Sequence, residues 1–254
     1  MGSSTFYDCC TTMDNAIYVT LSRQLAMFRD MAVTANNIAN ANTTGYNSEH
    51  MVFTSYLKKD VNQRTPNAMA MDYDISTYRN TQTGPLKSTG NPLDLAISGN
   101  GYFAVETPLG TRYTKAGNLQ LDPLGTLVSA EGYPVLNSNG GRIVFPDDTL
   151  EIDVGSAGNI KVNGTEFDSL GIYGFANEQA MEQLGNGLYK SDITPLPAEN
   201  VRVLQGTLEN SNVQPVRELT HMIDVSRSTS NTAKLIETIY DLQRKAANAW
   251  TRQG

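Results

Sequence analysis

Apolar residues near the start of the chain recur at steps of three and four: Leu21, Leu25, Phe28, Met31, Ala35 and Ile38. This spacing places them on one face of an α-helix. The pattern predicts a helix from about Asn15 to Asn42, and it makes Gly45 a left-handed stop after that helix.

Asparagines at positions 36, 37, 40 and 42 crowd the end of this helix, within the run ANNIANANTTGY. Asparagine competes with its own backbone for hydrogen bonds and forms helices poorly. Asn36 and Asn40 are four residues apart and share one face, and the small alanines between the amides permit close helix approach. Buried asparagines fix register and partner number in packed helices. The cluster therefore indicates a specificity device for helix packing, and the alternative is a solvated helix end.

A second helical period follows Gly206. Its apolar residues again advance mostly by threes and fours: Met222, Val225, Ala233, Ile236, Ile239, Leu242, Ala246 and Trp250. The pattern predicts a helix of about 35 residues with Pro215 in its first turn. Such a helix is about 50 Å long, which exceeds what one small β domain covers. The two terminal helices are therefore expected to pair with each other or with neighbouring subunits.

The middle of the chain contains two regions with different patterns of apolar and polar residues. Residues 47–92 are polar and irregular, and SEHMVFTSYL within them is compatible with a short helix or an extended arm. Residues 93–204 alternate short apolar runs with turn residues, which is typical of an antiparallel barrel or sandwich. The predicted class is α+β. Its expected parts are a discontinuous helical domain from 13–80 with 206–254, a β domain at 81–205, and a tag or extended start without structure at 1–12.

Charge and composition exclude several classes of partner. The net charge is −7 and no run is rich in lysine or arginine, so nucleic acid is not an expected partner. No apolar stretch reaches the length of a membrane span, and membrane insertion is not expected. No standard signal peptide opens the sequence. Cys9 and Cys10 are the only cysteines and are adjacent, so the fold is not expected to depend on disulfides.

One motif formally matches a cofactor fingerprint. GNGYFA, residues 99–104, fits the glycine-rich dinucleotide pattern with alanine in the last place. That fingerprint requires a helix to begin there, so that its N-terminus faces a pyrophosphate. The residues that follow, VETPLG, instead predict a hairpin. No cofactor is therefore expected.

The residues that could carry acid–base or metal chemistry are scattered. His50 and His221 are the only histidines, and neither belongs to a metal-spaced cluster. Asp72 with Asp74 and the pair Asp147-Asp148 lie in stretches that resemble turns, where aspartate usually caps or is solvated. No nucleophile elbow, P-loop or zinc-protease motif is present. The sequence therefore predicts neither a catalytic set nor a metal site.

Three separate motifs carry a family resemblance that extends from about Met13 to the end of the chain. They are ANNIANANTTGY, the middle blocks STGNPLDLAISGNGYFAV and RYTKAGNLQLDPLGTLVSAEGYPVL, and the segment at 206–246 that begins GTLENSNVQPV. In this order they resemble the bacterial flagellar axial family of rod and hook proteins. The segments MDNAIYVTLSRQ and MDYDISTYRNTQTGPLKSTGNPLDLAI are most similar to the family's proximal rod branch. One departure is that Ser228 and Thr229 follow Arg227, where an aromatic residue is usual.

The resemblance implies a structural, non-enzymatic subunit of the basal-body rod, a drive shaft that crosses the periplasm and transmits torque from motor to hook. The terminal helices would join a coiled-coil layer around the axis, and the β domain an outer layer. The implied partners are other rod subunits, copies of the same chain and the type III export apparatus. The expected assembly interface comprises Leu21, Leu25, Phe28, Ala35, Asn36, Asn37, Ile38, Asn40, Asn42, Gly45, Asn212, Val213, Met222, Ile223, Ile236, Ile239 and Leu242.

Two alternatives remain at this stage. The first is a distal rod or hook-type subunit of the same family. The second, of a different class, is a secreted β-rich protein that binds glycan or acts on the cell wall. The second alternative requires a cleft with convergent polar groups between residues 93 and 204.

Overall fold

The computed structural model describes the backbone of residues 4–59, 68–198 and 200–251. The chain divides into two compact units. Unit 1 comprises Met1–Ile38, Glu49–Tyr78 and Pro215–Gly254, and unit 2 comprises Ala39–Ser48 and Arg79–Gln214. The α+β class is confirmed, because terminal helices flank a central β-rich region.

Two long helices dominate unit 1. Helix α1 spans Ser4–Ala39 and helix α2 spans Pro215–Thr251, with Pro215 as its first residue. Proline suits this position because the first amide of a helix needs no intrahelical partner. Helix α1 also includes residues 4–12, for which no regular structure was expected. A helix that has already nucleated extends at little cost through residues of moderate propensity.

Helix α1 ends at Ala39, before the last two asparagines of the cluster. The chain turns there, because the Thr43 amide donates to the Asn40 carbonyl at 3.1 Å and the Thr43 hydroxyl donates to Asn40 Oδ1 at 3.2 Å. Gly45 follows with φ +67°, so the predicted left-handed position is confirmed. The preference of asparagine for turns explains why the helix ends before the predicted Asn42.

Two long paired strands complete unit 1. Strand β1 spans Glu49–Lys59 and pairs with β2, Ala68–Arg79, in a two-stranded sheet. The extended reading of SEHMVFTSYL is therefore correct and the short-helix reading is wrong. Valine, phenylalanine, threonine and tyrosine favour strands, which outweighs the weak helical spacing of this segment. Asp72 and Asp74 lie within β2, so their assignment to a turn was also wrong.

Unit 2 is built from short antiparallel strands. Their bounds are β3 Leu86–Ser88, β4 Leu95–Ser98, β5 Tyr102–Thr107, β6 Gly110–Thr114, β7 Gln120–Leu121, β8 Leu127–Val128, β9 Ile152–Val154, β10 Asn159–Val162, β11 Thr165–Ser169, β12 Ile172–Gly174, β13 Glu182–Gln183, β14 Leu188–Lys190, β15 Leu196–Pro197, β16 Arg202–Gln205 and β17 Thr207–Glu209. A 3-10 turn, Glu178–Ala180, precedes β13.

The largest sheet of unit 2 has the order β13-β14-β6-β5-β12-β15, and a second sheet has the order β11-β10-β9. The remaining strands form the pairs β16-β4, β17-β3 and β7-β8. Among the described strands these sheets do not close into a barrel. The barrel form of the prediction is therefore not confirmed.

One continuous apolar core holds unit 2 together. It includes Ile97, Phe103, Val105, Val135 and Ile143, each essentially inaccessible to solvent. A smaller cluster of aromatic residues contains Tyr102 and Tyr189, whose rings meet edge to face at 5.6 Å between centroids. Alternation along β5 directs Phe103 into one cluster and Tyr102 into the other. Unit 2 therefore has an apolar core of its own.

Candidate assembly interface and chain junctions

Asn37 forms a junction of three chain segments inside unit 1. Its side chain is 1% exposed. Its Nδ2 donates to the carbonyl of Glu49 at 2.7 Å and to Glu218 Oε2 at 3.2 Å, and the Glu49 amide donates to its Oδ1 at 3.0 Å. The amide thereby joins the end of α1 to the start of β1 and to the first turn of α2. Glu49 and Glu218 were not recognised from the sequence.

The other asparagines of the cluster lie in different environments. Asn36 and Asn42 are exposed, and Asn40 is half-buried in the turn that ends α1. The cluster therefore combines one buried junction residue, one turn residue and two surface residues. Asn36 and Asn42 lie at the surface, whereas the buried amide of Asn37 bonds within its own chain.

Asn212 forms a comparable junction in unit 2. Its Oδ1 accepts from the Ser48 amide at 2.8 Å, and its Nδ2 donates to the carbonyls of Asn80 and Gln82, each at 2.8 Å. The backbone amide of Asn212 also donates to the Tyr46 carbonyl at 3.3 Å. One side chain thus holds three segments that are far apart in sequence. Asn212 and Val213 were expected at an assembly interface. Asn212 bonds other segments of its own chain, and Val213 is buried.

Arg79 fixes the end of β2 within unit 2. Its guanidinium donates to the carbonyls of Glu178 at 3.2 Å and Met181 at 2.8 Å. The same group lies 4.6 Å from the centroid of the Tyr189 ring, which is a cation–π distance. Gln179 bonds both backbone polar groups of Arg79, at 2.9 Å and 2.6 Å. The sequence contained no signal for this anchor, because its partners lie about a hundred residues away.

Polar contacts and a groove mark where α1 and α2 meet in unit 1. His221 Nε2 lies 3.1 Å from Asp30 Oδ2, and the Asp30 side chain is largely buried. A groove of about 510 Å³ lies between the helices, with Ala26, Met27 and Val225 among the residues that line it. The groove between the helices therefore has mixed apolar and polar walls, and the His221–Asp30 contact joins its two sides.

An apolar row on α1 faces solvent. Leu21, Leu25 and Phe28 are 56%, 53% and 51% exposed, although Ala26 on the same helix is buried. Of the other expected interface residues, Ala35, Ile223 and Leu242 are exposed, whereas Ile38, Met222, Ile236 and Ile239 are half-buried. Half-exposed leucine and phenylalanine at spacings of three and four form a contiguous apolar stripe, which is typical of a protein-binding surface.

Signs of catalytic or metal chemistry are lacking in the residues that the structure describes. No group of three or more His, Cys, Asp or Glu side chains there could hold a metal ion. GNGYFA leads into the hairpin of β5 and β6, as predicted, so no helix begins there to face a pyrophosphate. Within the same part of the chain, no helix is long and apolar enough to cross a membrane.

Comparisons with protein families find three matches in chain order. Residues 17–47 match the family described as flagella basal body rod protein, and residues 96–162 match the D1 domain of flagellar hook protein FlgE/F/G. Residues 204–249 match the C-terminal family of flagellar basal body rod FlgEFG protein. The matched segments include Asn37, Glu218 and Asn212, and they cover residues 96–162 of unit 2.

Curated relatives match nearly the whole chain. The flagellar basal-body rod protein FlgF of Caulobacter vibrioides is 37% identical, over 92% of this chain and 97% of its own length. A protein of the same name from Mesorhizobium japonicum is 34% identical, over 88% and 92% of the two chains. The flagellar basal-body rod protein FlgG of Bacillus subtilis is 31% identical, over 93% and 99%.

Proposed function

The chain belongs to the flagellar basal-body rod protein family and is FlgF-like within it, and from this premise we propose how its two units serve the rod. It is a structural, non-enzymatic subunit of the bacterial basal-body rod, where it assembles with other rod subunits. The proposal concerns the surfaces that make this assembly, the position of the subunit along the rod and its route there.

The terminal helices pack with helices of neighbouring rod subunits, including copies of this chain, in a coiled-coil layer around the rod axis. The helical domain is discontinuous, formed by residues 13–80 and 206–254. The β domain at 81–205 packs in a sandwich-like manner and contributes to the outer surface of the rod. A packed helical layer can carry torque because its interior is dense and resists deformation.

The apolar row Leu21, Leu25 and Phe28 is the observation that supports this proposal most directly. These side chains are about half exposed, while Ala26, Thr34 and Asn37 of the same helix are buried. Burying three such side chains in a neighbour contributes several kcal/mol, at about 25 cal/mol per Å² of apolar surface. The exposed row is therefore the part of α1 that a neighbouring subunit covers.

The other expected interface residues divide into two groups in this proposal. Ala35, Asn36, Asn42, Ile223 and Leu242 are exposed and belong to the packing surface together with the apolar row. Ile38, Asn40, Met222, Ile236 and Ile239 are half-buried and reach neighbours only with part of their side chains. Asn37, Gly45 and Val213 are buried, and Asn212 is half-buried with its side chain bonded within the chain. These four residues act indirectly, by holding the chain segments that carry the packing surface.

Serine substitution of all three residues, Leu21, Leu25 and Phe28, tests the proposal. The purified triple variant should retain the circular dichroism of the unaltered chain and lose only part of its monomer stability, because about half of each side chain is already exposed. Cells that carry it in place of the native gene should fail to swim in soft agar and lack complete rods in isolated basal bodies. Leu109→Ser is the matched control, because Leu109 is 82% exposed in unit 2 and should tolerate the change. Normal rods in the triple variant would refute the proposed packing surface.

The subunit occupies the proximal part of the rod, and it reaches the periplasmic side by export through the flagellar type III apparatus. The 37% identity to a protein named FlgF, against 31% and 34% to two proteins named FlgG, supports the proximal position. Deleting the gene should leave basal bodies that stop below the distal rod. Basal bodies with an intact proximal rod in that deletion would favour the distal or hook-type alternative.

A further inference from the structure

Two oppositely charged side chains are buried in unit 2. Lys115 follows β6 and is 1% exposed, and Glu209 ends β17 and is 2% exposed. Lys115 Nζ and Glu209 Oε2 have no hydrogen-bond partner among the residues that the structure describes. Buried ionisable groups are normally paired or hydrogen-bonded, because an isolated buried charge is strongly destabilising. The two atoms therefore require an explanation.

The backbones of both residues contact Gly45, the residue that leads out of the turn after α1. The Gly45 amide donates to the Glu209 carbonyl at 2.8 Å. A Cβ at Gly45 would lie 2.5 Å from the carbonyl carbon of Lys115, so the two backbones are in contact. The Gly84 amide donates to Glu209 Oε1 at 2.9 Å, which leaves Oε2 as the unsatisfied oxygen.

The two charges influence each other without touching. No direct ion pair joins them within 4.0 Å among the described residues. Burial raises the pKa of the Glu209 carboxyl, and the nearby Lys115 ammonium and the Gly84 amide oppose that rise. Lys115 Nζ also lies 5.4 Å from the centroid of the Tyr102 ring, whose face attracts the cation. The ring cannot accept all three ammonium protons.

We propose that an ordered internal water bridges Lys115 Nζ and Glu209 Oε2, and that this bridged pair holds the Gly45 segment and the end of β17 together. Water has the matching chemistry, because it accepts from an ammonium and donates to a carboxylate, and buried waters make about three such bonds. A metal cation would be repelled by the ammonium, and an anion by the carboxylate. The site lies in unit 2 and does not depend on the assembly surface of α1.

A crystal structure of the unaltered chain at a resolution that shows ordered solvent is the first test. The bridge predicts a water at about 2.7–3.2 Å from both atoms. Direct contact between Nζ and Oε2, or the absence of a water between them, would overturn the proposal. This test needs no variant and does not depend on how well a substitution is tolerated.

Carbon-13 NMR titration of the Glu209 carboxyl provides the second test. In Lys115→Met the pKa of Glu209 should rise by about one unit or more, because an opposing charge that stabilised the carboxylate is removed. Lys234→Met is the control, since Lys234 is exposed on α2 and should leave the titration unchanged. An unchanged pKa of Glu209 in Lys115→Met would show that the two groups are not coupled.

Discussion

Replacing Asn37 by leucine removes every polar contact of the unit 1 junction while conserving approximate volume. The change leaves the Glu49 amide and carbonyl, and one oxygen of the Glu218 carboxylate, without the partners that they have now. Both Asn37 and Glu218 are buried, so solvent cannot readily replace these bonds. We therefore expect Asn37→Leu to weaken the attachment of β1 and of the first turn of α2 to the end of α1.

The magnitude follows from the kinds of bond that are lost. The two bonds to the Glu49 backbone contribute about 1 kcal/mol each, and the bond to the Glu218 carboxylate about 2 kcal/mol. The total is about 4 kcal/mol for the packing of unit 1. The two bonds to Glu49 together contribute about 2 kcal/mol, so their loss should make local opening of the chain at Glu49 about 30-fold more frequent.

Amide hydrogen exchange at Glu49 measures this effect where it arises, because the Glu49 amide donates to Asn37 Oδ1. Exchange at Glu49 should be about 30-fold faster in Asn37→Leu than in the unaltered chain. Asn42→Leu is the control, since Asn42 is exposed and belongs to the same sequence cluster. Equal exchange rates at Glu49 in the unaltered chain and in Asn37→Leu would refute the junction.

Two further predictions concern unit 2. Gly45→Ala should lower its free energy of unfolding by more than the roughly 1–2 kcal/mol of a left-handed alanine, because the new Cβ meets the Lys115 backbone. Gly90 has a similar φ of +75° and open space around it, so Gly90→Ala should lower the free energy of unfolding in urea only by the cost of a left-handed alanine. Equal losses of stability in the two variants would contradict the close contact between Gly45 and the Lys115 backbone. The exposed Arg142 guanidinium bonds Glu106 at 2.6 Å and lowers the pKa of its carboxyl from the ordinary 4.5. The small stabilisation from this ion pair should therefore be present above pH 4.5 and be lost as the pH falls through the lower pKa of Glu106 in the folded state. Salt should also weaken it. A lower free energy of unfolding in Arg142→Met that persists in acid would contradict this origin.

Local sequence signals predicted the elements that depend on local physics. The two helices follow from apolar periodicity, and Pro215 marks the start of α2 because proline is tolerated there. Gly45 was identified because few residues other than glycine adopt a positive φ readily. The hairpin at GNGYFA was identified from the turn residues that follow it. Each of these signals lies within a few residues of the feature that it predicts.

The junctions could not be predicted in the same way. Asn37 bonds a carboxylate 181 positions away, and Asn212 bonds an amide 164 positions away. Asparagine in a helix end signals a polar role, but an amide side chain bonds equally well to its own chain, a neighbouring subunit or water. The sequence pattern indicated Asn37 and Asn212 as assembly-interface residues, whereas in the structure both have partners within the chain.

The strand order in the sheets of unit 2 also could not be predicted from the hydrophobic pattern. Alternating runs and turn residues indicate where strands are, and the predicted antiparallel character agrees with the observed pairing. The placement of β6 between β14 and β5 depends on side-chain packing between segments about 75 residues apart. Periodicity alone does not specify such non-local pairing.

Cysteine labelling at position 25 tests most directly the claim that the exposed row of α1 is the packing surface of the rod. Leu25→Cys, made in a Cys9→Ser, Cys10→Ser background, should react rapidly with a maleimide in the purified subunit, because Leu25 is 53% exposed. In isolated basal bodies the same position should be protected, whereas Leu109→Cys should react in both states. Equal labelling of position 25 in the free subunit and in the assembled rod would contradict the account.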